Sequence, residues 1–353
     1  MNSTAACIGK TKLKNPVICA AGEHVMSRAG IQKALQAGAA AVVAKSTNET
    51  SAARSQMTKA DYLALDADWR PVATDNNVRR DTTFICRSGL TMQSFEEWLS
   101  MVVEMDQVAA SHDAYVIASL VVSDLDAALE MGVKVEQAGV RILELNIGTP
   151  YEDEAEQSSV LTVQSPDKVR KIVQTVRNAV ALPVWVKLTG QSERVDSLVL
   201  AAKAAGADSV VFPGRFLGMI PDIESQQPFL GSNVGVGGGW NLPLSCYWIA
   251  RTYRALGAES ASGEDAFPLI GTNGARSGLD VIRFLLSGAT AVEMASAVLT
   301  RGYDAIADAV KEVEDYLEDR STEVMDLVGK ASDVKAFEEF PSRETPWCDL
   351  PIE

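Results

Sequence analysis

Cysteine is scarce in this 353-residue chain, and its placement excludes metal and disulfide frameworks. The five thiols, Cys7, Cys19, Cys86, Cys246 and Cys348, are odd in number, widely scattered and never paired as CxxC. They read as reduced cytosolic thiols, and they leave no iron–sulfur or zinc ligand set of the chain's own. Long hydrophobic runs are missing as well. The longest, 39–44 and 116–122 with its single Ser119, are strand-sized and far short of a spanning helix. The start, Met1-Asn2-Ser3-Thr4, leads into a Lys-bearing segment without the apolar core of a secretory signal. Positive charge is in deficit too, with 32 Lys and Arg against 47 Asp and Glu and a formal net charge of -15. Affinity for nucleic acids and for anionic membranes comes from Lys and Arg, so neither is an expected partner. A cytoplasmic location is expected.

What is present is globular. Apolar residues make up 47% of the chain, which excludes disorder. The length allows two ordinary domains or one α/β barrel of about 250 residues with decoration. Four segments repeat one pattern: Ala37-Gly38-Ala39 before 41–44, Ala138-Gly139-Val140 before 142–145, Ala205-Gly206-Ala207 before 209–212, and Ser287-Gly288-Ala289 before 291–294. In each, a helical stretch ends at glycine and enters a short apolar run. Runs at 16–20, 115–120, 183–188 and 267–271 have the same strand character, giving eight candidates separated mostly by helical patterns. These include 94–109, opened by a Ser94 and Glu97 capping box, and 165–180, with Ser165 as N-cap and Pro166 at the first turn. Eight β–α alternations with near-continuous apolar strands predict an α/β fold of the (β/α)8 TIM-barrel type. An open doubly wound sheet is the alternative, because periodicity does not show closure.

Two connections are long, 45–94 and 213–243, the second containing the glycine-rich 235–239; both read as lids or binding loops. From Tyr303 to the end the chain is helical and acidic, with 15 acidic and 5 basic residues, and 341–353 carries three prolines. The expected organisation is therefore a barrel domain over 1–320 and an acidic helical C-terminal extension and tail over 321–353.

In such a barrel the chemistry collects at the C-terminal strand ends. Those ends carry Lys45 and Ser46, Asn146 with Gly148-Thr149, Lys187, Thr272-Asn273-Gly274, and Ala295-Ser296. The small polar turns after strands seven and eight suit a phosphate held on backbone N–H groups. Lys45 and Lys187 end apolar strands, where an unpaired ammonium is costly. They either hold an anionic or polarisable ligand or form salt bridges to Glu144 or Glu293, and Asn146 is either a ligand or a buried hydrogen-bonding side chain.

The motifs Asn15-Pro16, Ala20-Ala21-Gly22 with His24, Ala44-Lys45-Ser46, Glu144-Leu145-Asn146-Ile147-Gly148-Thr149-Pro150, Val186-Lys187-Leu188 and Ile270-Gly271-Thr272-Asn273-Gly274 occur in one order. Together they resemble the dihydroorotate dehydrogenases and the related dihydropyrimidine dehydrogenase domain. The resemblance implies an FMN-dependent barrel that moves hydride between a substrate carbon and the flavin while a side chain handles the companion proton. It implies Ala20, Ala21 and Gly22 against the flavin, and Lys45, Ser46, Asn146 and Lys187 on its ring, ribityl chain or substrate, with Lys45 and Lys187 also counted as catalytic. Gly237, Gly238, Thr272, Asn273, Gly274, Ala295 and Ser296 are the remaining cofactor-binding residues, around the phosphate. A homodimer is implied, and a separate electron-transfer subunit is open, as are fumarate, oxygen and a ferredoxin as acceptors.

The departures are specific. Where the family carries a Cys or Ser for proton transfer, this chain has Thr149, a weak acid that needs an activating base or water chain. Its role is either proton transfer or a turn before Pro150. Tyr151 replaces the amide after the proline, and Gly214-Arg215 replaces an Asn-Ser pair. Loss of matched amides predicts a small cyclic or carboxylated substrate other than dihydroorotate. Arg215, Tyr151, Ser88 and Trp240 are the expected substrate contacts, though Arg215 also fits a solvated loop and Trp240 packing under the glycine-rich segment. Cys86 reads as an inert buried thiol, and of the two histidines only His24 lies in a matched motif. The competing functions are a dihydroorotate or dihydropyrimidine dehydrogenase proper and, from another class, a non-redox phosphate- or flavin-binding barrel.

Overall fold

The computed structural model describes residues 4–73, 79, 81–148, 163–257 and 266–342. Eight parallel strands close into a barrel: β1 (Val17–Cys19), β2 (Ala41–Val43), β3 (Tyr115–Val121), β4 (Leu143–Asn146), β5 (Val184–Lys187), β6 (Ser209–Phe212), β7 (Leu269–Thr272) and β8 (Ala291–Met294). Each pairs with its neighbour in chain order, and β8 closes on β1 through Glu293 opposite Ile18. Closure removes the open-sheet alternative. All eight strands fall within or beside the apolar runs, because strands covered on both faces must be apolar almost throughout.

The main barrel helices are α1 (Arg28–Gln36), α2 (Phe95–Ala110), α3 (Leu125–Gln137), α4 (Pro166–Arg177), α5 (Val195–Ala204), α6 (Leu242–Leu256), α7 (Gly278–Ser287) and α8 (Asp304–Arg320). Ser94 and Glu97 form the reciprocal capping box at the start of α2. Ser165 is the N-cap residue of α4, without a side-chain cap bond. Gly38, Gly139, Gly206 and Gly288, which end the four repeated units, all have positive φ, between 84° and 119°. A side chain there would force a costly left-handed backbone, so glycine sets where each helix turns into the next strand. After α8 the chain forms a short helix, Val324–Leu327, and then bonds α7 through Gly329 N–H to the Leu285 carbonyl and Ala331 N–H to that of Leu286.

The two long connections are not loops. They contribute Asp61–Leu65, Pro71–Val72, Thr83–Arg87, Phe216–Gly218 and Val234–Gly238 to one five-stranded sheet, whose four internal pairings are antiparallel, above the barrel mouth. The glycine-rich segment is a strand in that sheet, bonded on both edges. Val234 and Val236 pack with Leu65 and Ile85 in a small second core, while the alternating glycines leave the other face bare. Alternation of valine with glycine therefore reads as a strand that something approaches closely.

Candidate active site

A cavity of about 1310 Å³, open mouth included, lies between the C-terminal strand ends and this sheet. Ala20, Ala21, Gly22, Lys45, Ser46, Asn146, Lys187, Thr272, Asn273, Gly274, Ala295 and Ser296 line it from the barrel, joined by Ser88, Arg215 and Gly237 from above. Gly238 lines a smaller neighbouring cavity with Ser296 and Arg276. Trp240 is 42% exposed, stacked on Phe216 and outside the cavity wall, so it packs the rim of the sheet and not the pocket. His24 is turned behind Gly22, and burial pushes its imidazole down to about 4. Thr149 and Tyr151 lie outside the described residues.

Both strand-end lysines are ion-paired, and in different ways. Lys45 Nζ donates to Glu23 Oε1 at 2.9 Å and to Ser88 Oγ at 3.0 Å, and Ser88 Oγ donates to the same Glu23 oxygen at 2.6 Å. Glu23, on the turn after β1, is a partner that the strand pattern does not reveal. Burial lowers the Lys45 pKa, against the opposing effect of Glu23. Burial works to raise the Glu23 carboxyl, but Lys45, Ser88 and Tyr62 outweigh it and hold it at about 2. The Trp98 indole N–H donates to the Lys45 carbonyl at 2.8 Å, fixing the backbone that carries the ammonium.

Lys187 sits between Glu293, which it hydrogen-bonds, and Glu144, 3.8 Å away; both glutamates are wholly buried. Burial opposes its charge, but the two carboxylates outweigh burial and raise its pKa. The salt-bridge reading of Lys187 is therefore realised with both candidates, while the ammonium still lines the cavity.

Arg215 points inward and donates from Nη1 to Cys86 Sγ at 2.8 Å. A Cβ on Gly235 would lie 3.1 Å from Arg215 Cδ and 3.3 Å from Cys86 Sγ, which is why the sheet is bare here. Arg215 is not a solvated loop charge, and Cys86 is a wall residue of the cavity. Asn273 adopts φ 66°, accepts from Asn241 Nδ2 at 2.9 Å and donates to the Gly214 carbonyl at 3.2 Å, so it clamps the turn after β7 to the sheet connection. Gly148 N–H donates to Asn146 Oδ1 at 3.3 Å.

Sequence reasoning missed Glu23, Tyr62, Phe84 and Glu293 as cavity-wall residues. Glu293 carried a signal, a charged residue inside an apolar strand. Tyr62 and Phe84 carried none without knowledge of the sheet that delivers them.

A family model described as dihydroorotate dehydrogenase matches residues 4–317. The catalytic subunit of dihydroorotate dehydrogenase B (NAD(+)) of Methanosarcina mazei is 30% identical over 292 residues, covering 82% of this chain and 83% of that protein. The equivalent catalytic subunit of Methanocella arvoryzae is 28% identical over 327 residues, 92% of this chain and 96% of its own. Dihydroorotate dehydrogenase A (fumarate) of Lactobacillus helveticus is 30% identical over 221 residues, 62% and 68% respectively.

Proposed function

The chain belongs to the dihydroorotate dehydrogenase family, and we propose that it oxidises dihydroorotate itself, with FMN and substrate together in the cavity of the barrel mouth. The class of activity is an FMN-dependent oxidoreduction of a CH–CH bond. The expectation of a different substrate gives way here, because relatives covering most of both chains are named for dihydroorotate. One observation of the site carries the reading. Three cations, Lys45, Lys187 and Arg215, surround one cavity, and a phosphorylated cofactor with a carboxylated substrate needs such a set. Arg215 supplies a planar fork for a carboxylate where amides are missing.

The residues fit FMN. Gly237 has only Asn273 Oδ1, at 3.6 Å, near its missing Cβ, so a side chain there would fill the cradle. Gly237, Gly274, Ala295 and Ser296 would hold the phosphate on their backbone, with Gly238 and the buried Arg276 in the adjoining cavity. Ala20, Ala21 and Gly22 would lie against the ring, and Lys45, Ser46, Asn146 and Lys187 would meet its polar edge and the ribityl chain; Thr272 and Asn273 support the turn. When bound, FMN supplies the acceptor for the hydride that leaves the substrate. Thr149 is our candidate for taking the companion proton, and Ser88 and Tyr151 for substrate contact.

A separate electron-transfer subunit belongs to the same reading, supported by the Methanocella and Methanosarcina relatives being named as catalytic subunits of an NAD(+) enzyme. So do a homodimer, a cytoplasmic location, and a division into an FMN-binding barrel over 1–320 and an extension over 321–353. Among the described residues no helix is long and apolar enough to cross a membrane.

Anaerobic mixing of the FMN-loaded protein with dihydroorotate tests the proposal. The flavin absorbance should bleach with dihydroorotate and not with dihydrouracil. Flavin that binds but is bleached only by another carboxylated compound overturns the substrate, and a chain that binds no flavin favours the non-redox phosphate-binding barrel. Thr149→Val should slow bleaching about 100-fold or more, within the usual contribution of a positioned acid or base; wild-type speed removes its role.

A further inference from the structure

Glu144 on β4, Lys187 on β5 and Glu293 on β8 meet inside the barrel, beneath the cavity. Two fully buried carboxyls share one ammonium. With both ionised, the cluster carries an uncompensated negative charge on two buried carboxyls, which is costly. Neutral donors do not make up the difference. Ser119 on β3 donates to Glu144 Oε1 at 2.8 Å, but among the described residues neither Glu144 Oε2 nor Glu293 Oε1 has a hydrogen-bond partner. Burial and Glu144 together push the Glu293 carboxyl up to about 8, Lys187 only partly offsetting them.

Among the described residues, the groups around Glu293 leave it no second counter-charge. On β1 the neighbour is Cys19, whose thiol is pushed up by burial and by Glu293. On β7 it is the uncharged Thr272. Arg215, from the loop after β6, acts on Lys187, working against the carboxylates that raise its pKa. The cluster also reaches the cavity twice: through Lys187 and Glu293 directly, and through Ser46, whose Oγ lies 2.9 Å from that of Ser119.

We propose that Glu144, Lys187 and Glu293 hold one exchangeable proton, carried on Glu293, and that in alkaline solution, where the cluster has lost it, the cluster takes it up again from water when negative charge is added to a ligand seated over Lys187. Glu293 is thereby a positioning and charge-compensating residue for the reduction of FMN in this cavity. The inference rests on the FMN reading for its ligand, while the proton itself belongs to the chain alone. Two electrons arrive with the hydride. One further proton, from solvent, binds the Glu293 carboxylate, and no other bond changes in the cluster.

Two measurements on the full chain test this. Infrared difference spectra of the protein without FMN, between pH 6 and pH 10, should show a protonated carboxyl band lost with a midpoint near 8. The band should be missing in Glu293→Gln, and also missing at neutral pH in Glu144→Gln, where Lys187 and Glu293 form a simple ion pair. No band at pH 6, or a band that survives in Glu293→Gln, overturns the proposal whatever the protein does with flavin. With FMN bound, the midpoint potential of the wild type above about pH 8 should change by a further tenfold in the reduction equilibrium per pH unit, about 30 mV. Glu293→Gln should lack that extra slope. Equal slopes in both proteins overturn the coupling, and failure to bind or bleach flavin counts against the FMN reading and leaves the infrared result standing.

Discussion

Lys187 is held by two carboxylates that belong to strands of the barrel, whereas Lys45 is held by one, Glu23, on the turn after β1. The two ammoniums line one cavity, yet burial prevails at Lys45 and lowers its pKa, while the paired carboxylates prevail at Lys187 and raise it. Strand partners are locked by register and cannot leave. Glu23 retains 20% side-chain exposure and can be rehydrated if an incoming anion takes its place. The difference separates a charge fixed by strand register in the floor from one at the mouth whose partner is partly exposed.

Removing the floor cation should have the largest effect. Lys187→Met leaves two buried glutamates facing each other, and urea unfolding at pH 8.5 should show a loss of about 3–5 kcal/mol, the usual consequence of breaking a buried pair. At pH 6 the loss should shrink, since Glu293 is then protonated and only Glu144 is left without its cation; an equal loss at both pH values would break the comparison. Next in size is the pH dependence of the wild type. Because the folded state raises Glu293 from an ordinary 4.5 to about 8, it binds an extra proton between those values. Stability from this group is full below 4.5 and is lost as pH rises through about 8, at up to about 1.4 kcal/mol per unit. Denaturant midpoints from pH 5 to 9 should follow that slope, and those of Glu293→Gln should be flatter.

Lys45→Met should cost less, about 1–2 kcal/mol, because Glu23 turns to water. Its main effect should appear in FMN affinity, weakened about 10- to 100-fold by fluorescence titration; a stability loss as large as that of Lys187→Met would erase the distinction between floor and mouth. Trp240→Ala should have the smallest effect, below about 1 kcal/mol, since it removes only an exposed stacking contact with Phe216. Turnover should change less than about threefold.

The floor was more legible than the mouth. Lys187, Glu144 and Glu293 all stand in apolar strands, and a charge in an apolar run is visible as an anomaly. Glu23 stands in a turn, where a carboxylate is ordinary. Cys86 and Arg215 are 129 residues apart in the chain, and they meet only because Thr83–Arg87 and Phe216–Gly218 both pair with Val234–Gly238. Short strands with alternating glycine carry little local signal, and their pairing is a long-range choice.

The chain by itself determined the eight strands, the glycines that end four helices, the caps and the polar strand ends. Those features follow from apolar periodicity and local backbone freedom, which act over a few residues. Only the tertiary structure decided that the barrel closes, that the long connections form a sheet over it, and which carboxylate meets which lysine. Charge pairing inside a protein depends on burial and distance, and both exist only once strands distant in sequence are brought side by side.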